Sequence, residues 1–267
     1  MSDELASLDG LIAPAAETSI PVTEEGFLRG DGAFEVIRVY DGVPFALADH
    51  LTRLERSTTN LRLGWSPGRA ELERDVERLL ETRRGAGFDG CLRIVLTRGG
   101  RRLVLTEQLP APPDRARLAY VTYAPPRILD GVKSLSYAAN MLAGRIARER
   151  GFDEALLVTP HGRVLEAPTA TLFWCSDDGT LATPPLDDHI LASITRAHVM
   201  ELTGAEERAC TADDLHSASE AFLASTTREV QPVARVEDVE FDAPGERTRS
   251  AAAALRKRIE ELLAAGG

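Results

Sequence analysis

The sequence predicts an α+β fold with two unequal domains, and three observations support this prediction. Runs of β-forming residues outnumber helical runs, and the two kinds alternate along the chain instead of forming separate blocks. No segment is repeated. The proline pair Pro125-Pro126 is the sharpest interruption of these patterns, so we expect a linker at 124–131 between domains at 1–123 and 132–267.

The elements of the first domain begin with a predicted hairpin. Alternating residues at 33–40 predict a strand, and Asp41-Gly42 predicts a tight turn into a second strand at 43–47. Asp49 is the expected N-cap of a helix that ends at Gly64. The same periodicity rules predict three further elements, which are a helix at about 69–84 and strands at 91–98 and 117–124.

Local start and stop signals divide the second domain. Gly151 ends one helix, Ser193 caps another, and Pro232 limits any strand that follows 220–226. In chain order, the predicted elements are an extended segment at 134–137, a helix at 138–150, a hairpin of 154–158 and 163–166, strands at 170–175 and 180–183, a helix from Ser193 to about Thr203, a short helix at 212–217, a strand at 220–226 and a helix at 246–265.

The composition argues against several classes of function. The 267 residues carry a net charge of −11 with no block of like charges, which argues against a nucleic-acid-binding surface. No apolar run approaches the ~18 residues of a membrane span, and the acidic N-terminus is unlike a secretory signal. Three separated cysteines and five histidines without ligand spacing predict no disulfide framework and no metal site. This cysteine usage suits a reducing cytoplasm.

Lysine is rare in this chain, which makes Lys133 notable. Lys and Arg together number 31, yet the lysines are Lys133 and Lys257 alone. Lys257 lies between two arginines in a helical pattern, where it is explained as part of a solvated face. A lysine that persists among arginines indicates chemistry that a guanidinium cannot perform, because an amine can lose its proton and act as a nucleophile. The opposing interpretation is a surface lysine at a loop end.

An amine that holds an aldehyde cofactor points first to pyridoxal 5'-phosphate. That cofactor needs a carboxylate facing its pyridine nitrogen, and Glu166 at the end of a predicted strand is a candidate. It also needs a phosphate site built from an arginine, hydroxyls and a helix N-terminus. Arg53, the helix start at 193–195 and the hydroxyl run at 225–227 offer these groups. Each also has an ordinary explanation, as an exposed strand residue, a surface charge, an N-cap or a turn.

Six motifs follow one another between residues 26 and 233. They are GDGAFEVIRVYDG (30–42), DHLTRL (49–54), KSLSY (133–137), DEALLV with GRVLEAPTATLFW (153–174), ILASITR (190–196) and ASTTREVQPV (224–233). Together they resemble the class IV aminotransferases, which are pyridoxal-phosphate enzymes of fold type IV. That family includes D-amino-acid and branched-chain aminotransferases, (R)-amine transaminases and aminodeoxychorismate lyase. The resemblance implies a smaller N-terminal α/β domain and a larger C-terminal domain that is mixed and β-barrel-like.

The resemblance also implies a role for each cofactor-binding position. Lys133 stands at the position of the Schiff-base lysine, and Glu166 stands at that of the glutamate facing the ring nitrogen. Tyr137 occupies the position at which a tyrosine bonds the phenolic oxygen of the cofactor in branched-chain enzymes. The positions implied for the phosphate group are Arg53, Ile194, Thr195, Ser225 and Thr226.

The positions implied for the substrate give mixed indications. Arg38 is typical of branched-chain enzymes, whereas Arg98 matches the arginine that binds the substrate carboxylate in D-amino-acid aminotransferases. Phe34 and Gly100 replace the tyrosine and the histidine that usually assist this arginine, so the carboxylate site is incomplete. The turn that contains Thr169, a further substrate-binding candidate, also departs from the family pattern.

The resemblance therefore predicts an aminotransferase that moves an amino group between an amino acid and a 2-keto acid by a ping-pong mechanism. D-amino acids such as D-alanine or D-glutamate are the first expectation, ahead of branched-chain L-amino acids or (R)-amines. An aminodeoxychorismate lyase and a cofactor-free binding protein on the same fold are also compatible with the motifs. The family further implies a homodimer with a shared active site.

Overall fold

A computed structural model of the protein describes residues 4–64, 68–83 and 87–264. Contacts divide the chain into two units. Unit 1 consists of Met1–Pro110, Gly131–Tyr137 and Glu260–Gly267. Unit 2 consists of Ala111–Asp130 and Ala138–Ile259. These bounds differ from the expected domains, because the segment 131–137 groups with unit 1 and not with the C-terminal part of the chain.

Unit 1 contains a six-stranded sheet. Its strands are β1 (Leu5–Leu8), β2 (Leu11–Pro14), β3 (Gly32–Tyr40), β4 (Val43–Pro44), β5 (Gly90–Thr97) and β6 (Arg102–Glu107). Their order is β2-β1-β6-β5-β3-β4, and every neighbouring pair is antiparallel. The α-helices that the structure describes before residue 110 are α1 (Glu25–Arg29), α2 (Leu47–Asn60) and α3 (Arg69–Arg83).

The two long helices of unit 1 share one buried core with the sheet. Leu51 and Leu54 lie on one face of α2, and Leu72, Val76 and Leu79 repeat at helical spacing on α3. All five are buried together with apolar residues of β3 and β5. Burial of each such side chain stabilises the fold by roughly 1.5–3 kcal/mol. The core therefore holds α2 against the sheet.

The segment 131–137 lies against the start of β3. The Phe34 amide donates to the Lys133 carbonyl at 3.0 Å, and the Leu135 amide donates to the Gly32 carbonyl at 2.9 Å. A Cβ atom at Gly32 would lie 2.5 Å from the Leu96 carbonyl oxygen and 2.6 Å from the Leu135 side chain. Glycine is therefore required at position 32 for this close approach, which explains why the segment groups with unit 1.

Unit 2 contains an eight-stranded sheet of mixed direction. Its strands are β7 (Ala116–Thr122), β8 (Glu154–Val158), β9 (Thr171–Cys175), β10 (Leu181–Thr183), β11 (Glu206–Glu207), β12 (Glu220–Ser225), β13 (Glu229–Val236) and β14 (Val239–Glu240). The order is β11-β10-β9-β12-β13-β7-β8, with β14 paired to β13. Parallel pairs are β7 with β8, β7 with β13 and β10 with β11. The α-helices described after residue 137 are α4 (Ala138–Glu149), α5 (Ile194–Thr203), α6 (Ala212–Ser217) and α7 (Glu246–Ala264).

The α+β prediction and most of the predicted elements are confirmed. The strands expected at 33–40, 154–158 and 220–226 and the helices expected at 138–150 and 193–203 match β3, β8, β12, α4 and α5 within two residues. Ser193 caps α5 as predicted, with its hydroxyl accepting from the Arg196 amide. Residues 84 and 265, the last residues of two predicted helices, lie outside the described part of the chain.

Five local predictions are wrong. The helix expected to end at Gly64 ends at Asn60, and Arg62 just beyond it adopts a left-handed conformation (φ 53°). The strand expected at 43–47 stops at Pro44, because Ala46 adopts a left-handed conformation (φ 52°) and α2 begins directly after it. Asp49 is consequently in the first turn of α2 and is not its N-cap. The strand expected at 163–166 is not regular, although backbone hydrogen bonds join it to the end of β8. Pro232 does not limit the strand after 220–226, because it lies inside β13 and pairs with Phe222 of β12.

In unit 1, the sequence patterns missed β1, β2, β6 and α1. These elements have four to six residues, too few for a period to stand out from its surroundings.

None of the helices in the described residues is both long enough and apolar enough to cross a membrane.

Candidate functional site

The backbone of Lys133 is hydrogen-bonded to two elements of unit 1. Its amide donates to the Ser57 hydroxyl on α2 at 3.1 Å, and its carbonyl accepts from the Phe34 amide on β3 at 3.0 Å. The lysine is half-buried. Two elements of a packed core thus fix the Cα position of the residue that the sequence singles out as a nucleophile.

Two aromatic rings lie beside the Lys133 amine. Its Nζ atom is 4.5 Å from the ring centroid of Phe34 and 5.9 Å from that of Tyr137. The two rings meet edge to face, with centroids 5.4 Å apart and planes at 83°. The structure therefore brings together three of the predicted site residues, and Phe34 presents an apolar ring where the D-amino-acid enzymes are expected to have a tyrosine.

Arg53 is part of a buried group that we call the Glu35 triad, which consists of Glu35, His50 and Arg53. The Glu35 carboxylate accepts from Arg53 Nε at 2.7 Å, from Arg53 Nη2 at 2.6 Å and from His50 Nδ1 at 2.8 Å. Side-chain exposure is 0% for Glu35, 0% for His50 and 6% for Arg53. The planar guanidinium is therefore bound along one edge by a carboxylate that is itself completely buried.

The triad has a defined charge state. Burial alone would raise the pKa of Glu35, but hydrogen bonds from Arg53 and His50 outweigh it and hold the pKa at about 2. Burial lowers the pKa of His50 more than Glu35 raises it, and the charges of Arg53 and Lys133 lower it further. At neutral pH the triad thus contains a carboxylate, a guanidinium and a neutral imidazole, whose Nε2 atom has no hydrogen-bond partner within the described ranges.

Arg38 is not brought near Lys133. Its guanidinium donates to the carbonyls of Gly90 and Val39 and to the carboxylate of Asp89. These contacts lie four residues along β3 from Phe34, which is about 13 Å of strand. The predicted role of Arg38 in substrate binding therefore has no support from the geometry of unit 1.

Arg98 is engaged by neighbours on its own unit. Its Nε and Nη2 atoms donate to the Asp31 carboxylate at 2.8 and 3.4 Å. Nη1 and Nη2 also donate to the carbonyls of Arg62 and Leu61 at 2.7 and 2.9 Å. Four of the five N–H groups of the guanidinium are used by these bonds. The structure thus gives Arg98 a structural role in its own unit, which opposes its predicted role as a carboxylate trap.

The hydroxyl residues predicted for the phosphate lie together in unit 2. Ile194 is the first residue of α5, and Thr195 follows it with 1% exposure. The Thr195 and Thr226 hydroxyl oxygens are 3.5 Å apart. Thr226 comes directly after β12, so a strand end and a helix start present two hydroxyls at one place. Such a helix start favours an anion, since its first backbone amides have no partner within the helix.

Glu166 has a partner from the chain just before α5. Its Oε1 atom accepts from the Leu191 amide at 3.1 Å, and the residue is half-buried. Burial raises the pKa of Tyr123, and the charge of Glu166 raises it further, so the two side chains are close enough to interact. A backbone amide just before α5 thus orients the Glu166 carboxylate, and α5 is the helix that carries Thr195.

Arg228 joins the segments that carry these residues, and the sequence patterns did not indicate it. Its amide donates to the Ser225 hydroxyl at 3.3 Å, and its Nη2 atom donates to the Thr169 hydroxyl at 2.7 Å. The same Nη2 donates to the Glu154 carboxylate, and Nη1 donates to the Gln231 amide oxygen at 3.1 Å. Thr169, predicted to bind substrate, is therefore held by an arginine that follows the second hydroxyl run.

The missed residues had a signal in the sequence. Glu35 and His50 lie inside two of the quoted motifs, and Arg228 lies inside a third, but the resemblance attached roles to their neighbours only. The spacing of His50 and Arg53 by three residues puts both on one face of α2. Nothing in the sequence shows that Glu35 lies opposite that face, because this depends on the packing of α2 against β3.

The residues fit the chemistry of pyridoxal phosphate within each unit. Unit 1 provides the Lys133 amine for an aldehyde and the Arg53 guanidinium for a phosphate, next to a buried imidazole nitrogen that has no hydrogen-bond partner among the described residues. Unit 2 provides hydroxyls at a helix start and the Glu166 carboxylate. Across the residues that the structure describes, no group of three or more His, Cys, Asp or Glu side chains could hold a metal ion.

Comparisons with known proteins agree with this fit. A family model described as amino-transferase class IV matches residues 32–236. A Methanocaldococcus jannaschii protein, provisionally named a branched-chain-amino-acid aminotransferase, is 33% identical over 86% of this chain and 87% of its own. The D-alanine aminotransferase of Bacillus licheniformis is 30% identical over 94% of this chain and 95% of its own. The solved structure of a fold IV transaminase from Curtobacterium pusillum covers 98% of this chain and 100% of its own, with 28% identity and a TM-score of 0.86.

Proposed function

Because the chain belongs to the class IV aminotransferases, which are pyridoxal-phosphate-dependent transaminases of fold type IV, we propose that it binds pyridoxal 5'-phosphate and exchanges an amino group between an amino acid and a 2-keto acid. The observation that carries the proposal is Lys133, an amine fixed through its backbone by Ser57 and Phe34. The cofactor would supply an electron-withdrawing ring conjugated to the substrate nitrogen.

The protein residues would divide the remaining work. Lys133 would hold the cofactor until the substrate amino group displaces it. The freed neutral amine would then accept the proton from the substrate Cα atom and donate it to the former aldehyde carbon of the cofactor. Glu166 would keep the ring nitrogen protonated by placing a negative charge beside it. The phosphate ligand proposed in unit 1 is Arg53, and those proposed in unit 2 are the first residues of α5 and the run from Ser225. The two substrates use this machinery in turn, so we expect ping-pong kinetics.

Two classes of amino donor are proposed. D-amino acids such as D-alanine and D-glutamate come first, on the basis of the similarity to a D-alanine aminotransferase over 94% of the chain. Branched-chain L-amino acids come second. They are favoured by the apolar Phe34 ring beside Lys133 and by the ion pair that engages Arg98 with Asp31.

Cofactor attachment tests the reaction class. Purified protein reconstituted with pyridoxal phosphate should show the visible absorbance of the bound cofactor. Borohydride reduction followed by peptide mass spectrometry should place the cofactor on Lys133. Lys133→Ala and Lys133→Arg should both lose turnover, because neither side chain can make the covalent link. A wild-type protein that binds no cofactor, or a Lys133→Arg variant with normal turnover, would refute the proposal.

Half-reactions test the donor. The loaded protein is mixed separately with D-alanine, L-leucine, (R)-1-phenylethylamine and aminodeoxychorismate, and the cofactor absorbance is followed. Fast bleaching by D-alanine supports the first choice, and fast bleaching by L-leucine alone replaces it with the second. Bleaching by the amine alone would assign an amine transaminase. Release of pyruvate from aminodeoxychorismate without amino transfer would assign a lyase.

We further propose that the protein is a homodimer in the cytoplasm. Large apolar side chains on unit 1 are exposed, with Val22 at 77%, Phe27 at 67% and Leu28 at 57%. Burial of such side chains against a second copy would remove them from water. The three cysteines are buried thiols, as expected in a reducing compartment. Sedimentation of the wild type and of the double variant Phe27→Asp, Leu28→Asp tests this proposal. We expect a dimeric wild type and a monomeric variant.

A further inference from the structure

The Glu35 triad presents a problem of charge at the predicted phosphate site. A buried carboxylate partly neutralises the one guanidinium that unit 1 contributes to an anion. Removing both charges from water is costly, and buried ion pairs are often no more stabilising than apolar residues of similar size. Stability alone is therefore a weak reason for Glu35 at this position, and its geometry points to another.

Glu35 fixes the orientation of Arg53. Its two oxygens accept from two different nitrogens of one guanidinium, at 2.7 and 2.6 Å. Two parallel bonds to a planar group define both its position and its plane, whereas a single bond leaves rotation about the bond axis. An anion bound by Arg53 would therefore meet a guanidinium that is already immobilised, which reduces the entropy lost on binding.

His50 fixes the carboxylate in turn. Its Nδ1 atom donates to Glu35 Oε2 at 2.8 Å, so that oxygen is bonded to His50 and Arg53 together. Both His50 and Arg53 come from α2, three residues apart, whereas Glu35 comes from β3. His50 is neutral, and its donor therefore orients Glu35 without adding a positive charge that would compete with Arg53.

We propose that Glu35, held in place by His50, is the positioning residue that aligns the Arg53 guanidinium for the phosphate group of the cofactor. This inference rests on the proposed function, because it takes Arg53 as a phosphate ligand. It assigns roles to two buried residues, of which Glu35 accepts two hydrogen bonds from Arg53 and His50 donates one to Glu35. It further predicts that the effect of Glu35 depends on two partners, namely Arg53 in the protein and the phosphate in the ligand.

The test compares pyridoxal phosphate with pyridoxal, which has the same aldehyde and no phosphate. The full chain, freed of cofactor, is titrated with each compound, and dissociation constants are measured by absorbance. Glu35→Gln should weaken pyridoxal phosphate binding by at least about tenfold and pyridoxal binding by less than about twofold, because the lost alignment concerns the phosphate alone. Equal weakening of both ligands, or of neither, would overturn the inference.

A double-mutant cycle tests whether Glu35 acts through Arg53. In an Arg53→Met background, Glu35→Gln should change pyridoxal phosphate affinity by less than about twofold, because the group that Glu35 aligns is gone. A full tenfold loss in that background would show that Glu35 acts on the ligand by another route, against the inference.

His50 variants provide a milder test if Glu35→Gln folds poorly. His50→Asn keeps an N–H donor near the position of Nδ1, whereas His50→Leu removes it and leaves the ion pair of Glu35 with Arg53. We expect near wild-type affinity for pyridoxal phosphate with His50→Asn and a several-fold loss with His50→Leu. Equal affinities in the two variants would contradict the role given to His50.

Asp75→Asn is the matched control. Asp75 and Arg102 form another largely buried ion pair in unit 1, with exposures of 6% and 11%. Breaking it should lower stability without changing affinity for either ligand, and a selective loss of pyridoxal phosphate binding in this control would count against the inference. If the wild-type protein binds neither ligand, the proposed function itself is refuted. If the wild type binds both ligands and Glu35→Gln binds both with the same affinity, this inference alone is refuted.

Discussion

Single residues of unit 1 show how charge is tolerated in a buried place. Glu35 remains ionised although it is fully buried, because Arg53 and His50 donate three hydrogen bonds to it. The pKa of Glu35, about 2, lies well below the ordinary value of 4.5. A folded-state pKa below the unfolded one means that the ionised group stabilises the fold above pH 4.5 and that this stabilisation is lost as the pH falls towards 2.

The first prediction follows from that pKa. The difference in unfolding free energy between wild type and Glu35→Gln should be constant above pH 4.5 and shrink as the pH falls towards 2. The total change should be on the order of 3 kcal/mol, because each pKa unit corresponds to about 1.4 kcal/mol. Urea unfolding of both proteins at several pH values between 7 and 2 measures it. A difference that stays the same across this range would contradict the low pKa.

Substrate residues were the hardest to predict at this scale. The motif around Arg98 predicts a carboxylate ligand, yet the structure shows a guanidinium bound to Asp31, 67 positions earlier in the chain. Phe34 lies beside Lys133 because the backbone of the lysine pairs with β3, whereas its role in substrate binding stays a prediction. An arginine motif specifies a charge, whereas the neighbours of that charge depend on folding.

Arg228 shows coupling between elements. It follows β12, and its side chain binds the start of β8, the turn at Thr169 and a residue of β13. Exposures of 14% for Arg228 and 13% for Glu154 make this a largely buried ion pair. Loss of the arginine would leave a carboxylate with little access to water and would release the Thr169 hydroxyl.

The second prediction concerns this coupling. Arg228→Met should lower the unfolding free energy by about 1–3 kcal/mol, because Glu154 loses its partner in a poorly solvated position. Arg228→Lys should recover part of the loss, since it restores the charge without the fork of donors. Arg150→Met is the control, because the Arg150 and Glu237 pair is more exposed, at 42% and 25%, and should contribute less than about 1 kcal/mol. Equal losses for Arg228→Met and the control, measured by urea unfolding, would refute the prediction.

Elements were predictable where local chemistry decides them. Ser193 and Gly204 bound α5 through contacts within a few residues of the helix ends, which a sequence pattern can report. The second strand of the first hairpin, expected at 43–47, stops at Pro44 because Ala46 adopts a left-handed backbone that alanine rarely takes. The packing of α2 outweighs that local preference, and no periodicity records such a balance.

At the scale of the whole molecule, the chain leaves unit 1 and returns to it. Residues 131–137 bring Lys133 back to β3 after 111–130 have run in unit 2. Unit 1 is therefore not a continuous stretch of sequence, and a fragment ending at residue 110 would lack its candidate nucleophile.

The third prediction concerns the whole protein and its cofactor. At a pyridoxal phosphate concentration about 100 times the dissociation constant, the unfolding free energy should rise by about 2.7 kcal/mol, which corresponds to roughly 5–10 °C in Tm. Lys133→Ala at the same concentration should show a much smaller rise, because the covalent link is absent. Thermal unfolding with and without the cofactor measures both. An equal rise in the two proteins would place the binding away from Lys133.

The sequence alone determined the α+β class, the Ser193 cap of α5 and the family, and it singled out Lys133 as the candidate nucleophile. These depend on local chemistry and on residue types in a fixed order. The tertiary structure decided that Lys133 groups with unit 1, that Glu35 holds Arg53, that Arg98 is bound by Asp31 and that Arg228 ties Thr169 to the strand ends. Each of these is a contact between distant residues, and packing selects such contacts from many that the same side chains could make.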